Sequence, residues 1–488
     1  MENDTQKYLE TIARVIAEGK YKDTWESLAE HPVPKWFLDG KFGIFIHWGV
    51  YSVPAFGSEW YSRNMYIKDS PEYKHHLETY GEHKKFGYKD FIPMFQGEKF
   101  NADEWMELFS AAGAKYVVPV AEHHDGFQMY RSEISHWNAY EMGPKRDVLG
   151  ELSNAAKKLG IVGGASTHRI EHWFFMSPGR QFESDITGNE KRGDFYWPSM
   201  PDAATGMHDI NSEPWPSEEF LNDFLIRTCE LIDKYKIRQL YFDWWIQHSA
   251  AKPYLRKIAA YYYNRAEEWG EEVMIAYKHD AFAFGTAVVD MERGKFAEIQ
   301  HFPWQTDTAV GKWSWGYAKG NQFKEARDII RELVDTVSKN GCMLLNIGPK
   351  PDGTITEEER AVLLEVGGWL RTNGEAVYGT RCWKISAEGP TRTRDGMFTD
   401  NDGYDYTSED FRFTIKGDRI YVVCLSYPED GKIRIKSLQG GSPYVNLIDV
   451  EVLGFEEKPR WSRDGEGLHI ETETVRSELP VVFRITTE

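Results

Sequence analysis

The sequence predicts an α/β protein: a (β/α)8-like TIM barrel, regular or irregular, followed by a C-terminal antiparallel β-sandwich. Short apolar runs alternate with amphipathic helical patterns from about residue 40 to 375, and the hydrophobic period changes to two after "NGEAVYGT". Several of the apolar runs also end in polar side chains. Repeated strand–helix units favour parallel strands joined by right-handed crossovers, which a barrel satisfies.

The barrel strands are predicted from runs that are short and almost continuously apolar, as expected of strands buried on both faces. A doubly wound sheet is the alternative architecture, but no glycine-rich phosphate loop supports it. In chain order the runs are "FGIFIHWG", "KYVVPVAEHHDGF", "LGIVGGASTHR", "IRQLYFDWW", "EVMIAYKHD" and "GCMLLNIGP".

Helices are predicted between these runs. In "NADEWMELFSAAGAKY", Trp105 and Leu108 begin an apolar stripe with helical spacing. The stripe in "NQFKEARDIIRELVDTVSKNG" is expected to stop at Gly341, a residue type that commonly ends helices. Thr356 and Glu359 have the spacing of a capping box at the start of a further helix.

The C-terminal region is predicted to be a β-sandwich because its apolar residues alternate and turn residues separate the runs. The division places a catalytic barrel domain with an N-terminal helical extension at residues 1–384 and the sandwich at 385–488. The sandwich shows no site of its own, which favours a structural lid on the barrel over an independent lectin. The alternating runs are "FRFTIKGDRIYVVCLS", "KIRIKSL", "NLIDVEVL", "GLHIETE" and "PVVFRITT".

Composition narrows the class of ligand. The formal net charge of −19 argues against a nucleic-acid surface, which needs clustered Lys and Arg. The 18 Trp, 26 Tyr and 27 Phe residues could form a large aromatic core. They would equally suit sugar rings, whose C–H faces stack on aromatic faces.

Cysteine usage and the N-terminus bear on the compartment. The cysteines are far apart with no C-x-x-C pair, so neither a zinc knuckle nor a disulfide framework is expected; Cys229 and Cys342 should be buried thiols. The N-terminus lacks the pattern of a signal peptide, and no apolar run of about 18 residues could span a bilayer. We expect no membrane partner and a cytoplasmic location, or a secreted or periplasmic one if a signal peptide has been removed. Assembly into a homo-oligomer is left open.

Polar residues follow the predicted strands at the end where barrel sites are built. A lone histidine after one strand is more often a satisfied core residue. Five strand endings on one face of a barrel instead predict a shared polar pocket. Those endings are His47; His123, His124 and Asp125; His168 and Arg169; Asp243; and Lys278, His279 and Asp280.

Two chemistries fit such a pocket. Histidines and aspartates can bind a metal ion in barrel hydrolases, but the first strand ends in His47-Trp48 rather than His-x-His. Glycoside cleavage needs two carboxyl groups, and Asp243 in "LYFDWW" is the obvious first. The alternative interpretation of Asp243 is a carboxylate that caps the following helix. Carbohydrate is favoured by the tryptophans of the same region: Trp60, Trp244, Trp245, Trp304, Trp313 and Trp315.

Blocks spread from about residue 30 to 380 resemble the α-L-fucosidases of glycoside hydrolase family 29. The resemblance implies a (β/α) barrel followed by a β-sandwich and hydrolysis of terminal α-linked L-fucose with retention of configuration. It also implies a fucosylated oligosaccharide or glycoside as substrate, without a cofactor or a metal ion. The blocks are "FGIFIHWGVYSVPAFGSEWY", "AGAKYVVPVAEHHDGF", "LYFDWW", "TAVVDMERG", "WQTDTAVGKWSWGY" and "NGCMLLNIGPKPDGTI".

The resemblance also implies roles by position. Asp243 matches the nucleophile, and Glu292 in "VVDMERG" is the best match for the acid/base, with Glu298 in "KFAEIQHF" as the runner-up. Trp315 falls where the family places an aromatic ring against the C5-methyl side of fucose. The residues that match contacts to the sugar hydroxyls and ring are His47, Glu59, Trp60, His123 and His124.

Two positions depart from the family pattern. Many members carry a tyrosine motif after the third strand, where this chain has "ASTHRIEHW", so His168 is expected to take over that sugar contact. Lys278 is expected to replace a basic contact that is often arginine. The insert between Arg169 and Trp215 is expected to contact the aglycone.

Three alternatives stay open. They are a glycosidase acting on another sugar such as α-galactose, a metal-dependent barrel hydrolase, and a catalytically silent sugar-binding protein. The linkage that is cut is not specified by these residues.

Overall fold

The computed structural model describes residues 2–202, 206, 209–441 and 446–488. Eight parallel strands close into a barrel in chain order, because β1 pairs with both β2 and β8. The predicted barrel is confirmed. Its strands are β1 (Phe42–Ile46), β2 (Tyr116–Glu122), β3 (Val162–Thr167), β4 (Gln239–Phe242), β5 (Met274–Tyr277), β6 (Val288–Glu292), β7 (Trp304–Ala309) and β8 (Gly341–Ile347).

The predicted apolar runs form β1 to β5 and β8, whereas β6 and β7 were not predicted as strands. Both carry polar side chains into the barrel, which hides the apolar pattern. Gln305 of β7 accepts a hydrogen bond from Gln239 of β4 at 2.9 Å and donates one to Asp290 of β6 at 2.7 Å. These bonds satisfy polar groups that would be unfavourable if buried without partners.

Helices surround the barrel on its outer face. The side chain of Asn101 accepts hydrogen bonds from two backbone amides at the start of α6, which explains where that helix begins. The helices are α1 (Glu2–Glu18), α2 (Trp25–Leu28), α3 (Lys35–Gly40), α4 (Tyr61–Asn64), α5 (Pro71–Thr79), α6 (Ala102–Ala111), α7 (Val148–Lys158), α8 (His172–Phe175), α9 (Glu218–Tyr235), α10 (Lys252–Trp269), α11 (Ala326–Ser338) and α12 (Glu357–Asn373).

Two helix boundaries bear on the sequence predictions. Gly341 does not end α11, which stops at Ser338; it is the first residue of β8 and has no room for a side chain beside the Trp304 ring. Thr356 does cap α12, since its side chain accepts a hydrogen bond from the Glu359 amide.

The interior of the barrel is filled by large side chains from the strands, so the barrel is a packed core and not a pore. Phe45, Tyr116 and Tyr241 are among the buried side chains of this cluster. The rings of Phe45 and Tyr241 lie 4.8 Å apart, directly below the polar ends of β1 and β4. The packed interior therefore forms a rigid floor for the residues at the strand ends.

The C-terminal region is an antiparallel β-sandwich, as predicted. A five-stranded sheet in the order β13-β16-β11-β10-β9 faces a three-stranded sheet in the order β12-β15-β14. β9 begins at Arg381, so the division between residues 384 and 385 stays a proposal. The strands are β9 (Arg381–Glu388), β10 (Phe411–Lys416), β11 (Arg419–Cys424), β12 (Lys432–Ile435), β13 (Leu447–Val452), β14 (Arg460–Arg463), β15 (Leu468–Glu471) and β16 (Val481–Thr487).

The sandwich packs against the last two helices of the barrel. The Trp369 indole of α12 donates a hydrogen bond of 2.7 Å to the carbonyl of Pro480, and the Arg412 guanidinium pairs with Asp335 of α11. Between β9 and β10 the chain leaves the sandwich and reaches the mouth of the barrel.

Two smaller predictions can be compared with the fold. Cys229 and Cys342 are buried, as expected. Within the part of the chain that the structure describes, no helix has the length and apolar character needed to cross a membrane.

Candidate active site

A cavity of about 540 Å³ opens at the carboxyl ends of the barrel strands. The cavity wall includes nine of the ten residues predicted to act in catalysis or to contact the sugar; it excludes the tenth, Lys278, and the alternative acid/base, Glu298. A single pocket is therefore formed by strand ends that are far apart in the chain. The nine are His47, Glu59, Trp60, His123, His124, His168, Asp243, Glu292 and Trp315.

Asp243 directly follows β4 and meets two histidines. Its Oδ2 lies 2.9 Å from His168 Nδ1 and 3.2 Å from His124 Nε2. Burial favours the neutral acid, but the charge of His168 and hydrogen bonds from both imidazoles outweigh it and lower the pKa of Asp243 well below its usual range. The group is thus an ionised carboxylate at neutral pH.

Glu292 is the last residue of β6 and has the opposite electrostatic setting. Its carboxylate accepts a hydrogen bond from the Trp244 indole and lies 3.3 Å from Lys278 Nζ. Burial is the largest influence and, with the negative charges of Asp307 and Asp243, raises the pKa of Glu292 to about 7, although Lys278 opposes the shift. One cavity therefore holds one ionised carboxylate and one carboxyl group that is protonated below neutral pH.

Lys278 lies behind Glu292 and is fully buried. Its ammonium group is 2.8 Å from Asp290 Oδ1 and 3.0 Å from Asp307 Oδ2. Burial lowers its pKa, but the neighbouring carboxylates outweigh burial and hold the pKa well above its ordinary value. Lys278 therefore neutralises charge beneath the cavity, whereas the sequence led us to expect a direct contact with the sugar.

Glu298, the runner-up for the acid/base, is exposed and lies outside the cavity. Six residues earlier, Glu292 faces the same space as Asp243. Of these two glutamates, only Glu292 is placed to act together with Asp243.

His47 and His123 supply uncharged imidazoles. His47 Nδ1 lies 2.7 Å from Asn346 Oδ1, which fixes the orientation of its ring. Burial, reinforced by the neighbouring histidines, lowers the pKa of both imidazoles well below the usual value. A neutral imidazole can donate one hydrogen bond and accept another, a combination that matches sugar hydroxyls.

His168 occupies the position after β3 where the sequence departs from the tyrosine motif. Its Nε2 lies 3.0 Å from Ser166 Oγ, on the side of the ring opposite Asp243. Burial lowers the pKa of His168 even though Asp243 pulls it upward. The imidazole therefore reaches the cavity and orients Asp243 at the same time.

Glu59 supports the loop that carries Trp315. Glu59 Oε2 accepts hydrogen bonds of 2.9 Å from the Trp315 amide and from Ser314 Oγ. The Arg293 guanidinium lies 4.4 Å from the centre of the Trp315 ring and holds it from the other side. Glu59 and Arg293 together fix an aromatic wall of the cavity. Across the cavity, the Trp60 ring lies 5.6 Å from that of His124.

Glu171, which was not among the residues predicted from the sequence, lies behind His124. Glu171 Oε2 is 3.2 Å from His124 Nδ1, and the glutamate is completely buried. Burial disfavours the charged imidazole, but Glu171 and Asp243 together raise the pKa of His124 to about 9. His124 is therefore an imidazolium between two carboxylates. The only signal for it was an acid three residues after His168 in "HRIEHW".

Replacing Glu171 by glutamine is expected to lower the pKa of His124, because one of its two anionic neighbours is removed. NMR titration of histidine-labelled protein, with the His124 signal assigned from a His124→Asn variant, measures the change. The imidazolium should lose its proton at least about one pH unit lower than in the unmodified protein. An unchanged midpoint would contradict the role of Glu171.

Two overlapping sets of side chains have the ligand types of a metal site. One is His47, His123 and His168; the other is His124, His168 and Asp243, and within each set the ligand atoms lie within 4.8 Å of one another. Both sets use His168 and both lie in the wall of the same cavity. Loss of activity when a chelator such as EDTA is added would therefore indicate a metal-dependent hydrolase.

The insert between Arg169 and Trp215 was expected to contact the aglycone, but none of its described residues lies on the cavity wall. Other residues line the mouth instead. Trp313 is one of the tryptophans that favoured a carbohydrate ligand, whereas no sequence pattern pointed to Lys312, Phe398, Asp400 and Asn401.

Comparison with known families covers both domains. A sequence model described as α-L-fucosidase matches residues 9–375, and one described as the α-L-fucosidase C-terminal domain matches residues 404–486.

Individual relatives are similar over most of the chain. Rat tissue α-L-fucosidase is 31% identical over 470 residues, covering 92% of this chain and 87% of the rat protein. Human tissue α-L-fucosidase is 30% identical, covering 94% and 90%. The crystal structure of Thermotoga maritima α-fucosidase in complex with fucose superposes with a TM-score of 0.74 at 30% identity, covering 96% of this chain and all of that one.

Proposed function

This chain belongs to the α-L-fucosidase family of glycoside hydrolases, and on that premise we propose how its own side chains perform the reaction. The activity is the hydrolysis of terminal α-linked L-fucose, and retention of configuration is consistent with the family. The substrate is a fucosylated glycoside. The roles assigned below to individual residues are proposals.

In the first step Asp243 attacks the anomeric carbon of fucose. The bond from that carbon to the glycosidic oxygen breaks as Glu292 transfers its proton to the leaving oxygen. The products of this step are an ester between Asp243 and fucose and the free alcohol of the leaving group.

In the second step Glu292, now a carboxylate, removes a proton from a water molecule. The water oxygen attacks the anomeric carbon and displaces Asp243 as a carboxylate. Fucose leaves with its original configuration because the carbon has been inverted twice, and both side chains return to their starting states.

The contrast between the two carboxyl groups carries this proposal. A nucleophile must be ionised and a general acid must be protonated at the same pH, and divergent pKa values identify such a pair. The pKa of Asp243 is held low by His168 and His124, whereas burial raises that of Glu292 to about 7.

The remaining residues are assigned to sugar binding. We assign the hydroxyl contacts to His47, His123, His124 and His168. Glu59 supports the wall formed by Trp315, and Trp60 packs beside His124. Trp315 offers an apolar face for the C5-methyl group, which favours a 6-deoxy sugar over α-galactose. We assign Lys278 an indirect role: it keeps an ammonium group beside Glu292 and does not touch the sugar.

The proposed acid predicts the pH dependence of kcat/KM. Glu292 works in the first step only while protonated, so activity should be lost as pH rises through its pKa of about 7. We expect kcat/KM to fall about tenfold for each further pH unit. A profile that stays flat to pH 9 for a substrate with a poor leaving group would contradict the assignment.

The cytoplasmic location stays a prediction from the sequence, and assembly into a homo-oligomer stays open. Size-exclusion chromatography with light scattering measures the second directly.

A further inference from the structure

The mouth of the cavity is built in part by residues from outside the barrel. Residues 396–401, here called the 396–401 segment, lie between β9 and β10 in the C-terminal region. Phe398, Asp400 and Asn401 of this segment line the same cavity as Asp243 and Glu292. The C-terminal region therefore contributes a wall to the candidate active site.

Backbone hydrogen bonds tie the 396–401 segment to the end of β6. The Phe398 amide donates to the carbonyl of Glu292 at 3.0 Å, and the Thr399 amide donates to that of Arg293 at 2.7 Å. A side chain at Gly294 would lie 2.4 Å from the carbonyl oxygen of Gly396, so the close approach requires glycine there. These contacts fix the segment against the strand that carries the proposed acid.

The side chain of Asp400 anchors the segment a second time. Its Oδ2 is 2.7 Å from Lys324 Nζ, 3.0 Å from Arg293 Nη1 and 2.9 Å from Thr308 Oγ1. Asn401 Nδ2 donates a hydrogen bond of 3.0 Å to the carbonyl of Lys312, which joins the segment to the loop before Trp313. The two parts of the mouth are held together as one surface.

This surface presents aromatic rings to the mouth of the cavity. Phe398 is 54% exposed and Trp313 is 67% exposed. The Trp244 ring lies 6.2 Å from that of Phe398 at an angle of 19°, so the two faces are nearly parallel. Large aromatic side chains exposed at a cavity mouth are characteristic of a binding surface.

The Trp244 and Phe398 rings lie on the side of the cavity where the leaving group must be. A general acid works within about 2.6–3.2 Å of the oxygen that it protonates, so the group bonded to that oxygen lies next to Glu292. The Trp244 indole donates a hydrogen bond to the Glu292 carboxylate, and the Phe398 amide donates one to the backbone carbonyl of Glu292. Both rings are thus close to where the leaving group sits.

We propose that Trp244, Trp313 and Phe398 form a leaving-group site that binds a neutral pyranose, the sugar to which the fucose is attached. The inference rests on the proposed function. Flat aromatic faces match the C–H faces of a pyranose, while the polar groups of Lys312 and Asn401 at the rim match its hydroxyls. The carboxylate of Asp400 is paired with Lys324 and Arg293, which weakens its attraction for a cationic leaving group.

The test compares substrates that share fucose and differ in the leaving group. α-L-Fucosyl fluoride leaves the proposed site empty, p-nitrophenyl α-L-fucoside places an aryl group there, and fucosyl-galactose and fucosyl-N-acetylglucosamine disaccharides place a pyranose there. Values of kcat/KM are measured for the unmodified protein and for Phe398→Ala and Trp313→Ala. The quantity compared is the ratio of kcat/KM for the best-cleaved disaccharide to that for the fluoride.

Phe284→Ala is the matched control, because Phe284 is an aromatic residue that is 73% exposed and lies outside the cavity. We expect the ratio to fall about tenfold in each mouth variant, the scale of one lost stacking contact, and to stay constant in the control. Two variants are used because the change at Phe398 is made next to β6, which carries Glu292. The change at Trp313 removes a largely exposed ring.

Several results would overturn the inference. One is an unchanged ratio of disaccharide to fluoride kcat/KM in both mouth variants. Another is a fall in the ratio of aryl glycoside to fluoride kcat/KM while the disaccharide ratio stays constant, which would indicate an aryl site. A third is cleavage of the fluoride by the unmodified protein with no cleavage of any disaccharide. Failure to cleave even the fluoride would overturn the proposed function and this inference with it.

Discussion

Replacing Asp243 by alanine is expected to lower kcat/KM for p-nitrophenyl α-L-fucoside by roughly 10⁴-fold or more, the scale of removing a covalent nucleophile. The loss corresponds to about 5.5 kcal/mol of transition-state stabilisation. No other group in the proposal can form the ester with fucose, so the first step has no substitute route. The variant should fold normally, because removing the carboxylate leaves the strand β4 and its buried neighbours in place.

Added azide offers a second measurement on the same variant. A small anion can enter the space that the carboxylate vacates and attack the anomeric carbon once, giving fucosyl azide of inverted configuration. Asp280→Ala is the matched control, since Asp280 follows the neighbouring strand β5 but is exposed and outside the cavity. If kcat/KM for p-nitrophenyl α-L-fucoside fell less than tenfold in Asp243→Ala, the assignment of Asp243 as the nucleophile would be contradicted.

Replacing Glu292 by alanine should have the second largest effect, and its size should depend on the leaving group. For a fucosyl disaccharide, whose sugar alcohol leaves poorly without a proton, we expect kcat/KM to fall by roughly 10²- to 10⁴-fold. For α-L-fucosyl fluoride, whose leaving group needs little protonation, the fall should be much smaller. Loss of the alkaline decline near pH 7 should accompany both changes.

Glu298→Ala is the control for this experiment, because Glu298 lies six residues further on and outside the cavity. The prediction would be wrong if Glu292→Ala lowered kcat/KM equally for both substrates. It would also be wrong if Glu298→Ala produced the leaving-group dependence instead.

The barrel could be predicted from sequence wherever its strands were continuously apolar. β1 to β5 and β8 met that condition. β7, "WQTDTA", did not, because Gln305 and Asp307 point into the barrel and find partners that no local pattern reveals. The boundary of α11 was misplaced for a related reason: Gly341 resembles a helix stop but belongs to β8, where its neighbour Trp304 excludes a side chain.

The candidate site could be predicted where the chain itself delivers residues to strand ends. Asp243 and the histidines follow this rule, and so does Glu292 once the resemblance identifies its block. The 396–401 segment could not be predicted, because it lies about a hundred residues from Glu292 and reaches it only through the packing of the sandwich. Lys278 was placed at the correct strand end, but its burial depends on Asp290 and Asp307 from two other strands.

The most direct test of the central claim is to trap the covalent intermediate. 2-Deoxy-2-fluoro-α-L-fucosyl fluoride is incubated with the protein in the presence of EDTA. The fluorine at C2 slows both steps, but the fluoride leaving group offsets this in the first step, so the covalent intermediate accumulates. Mass spectrometry of the digested protein should find one fluorofucosyl group per chain, attached to the peptide that contains Asp243. A label on a different carboxylate, or labelling that EDTA abolishes, would contradict the account.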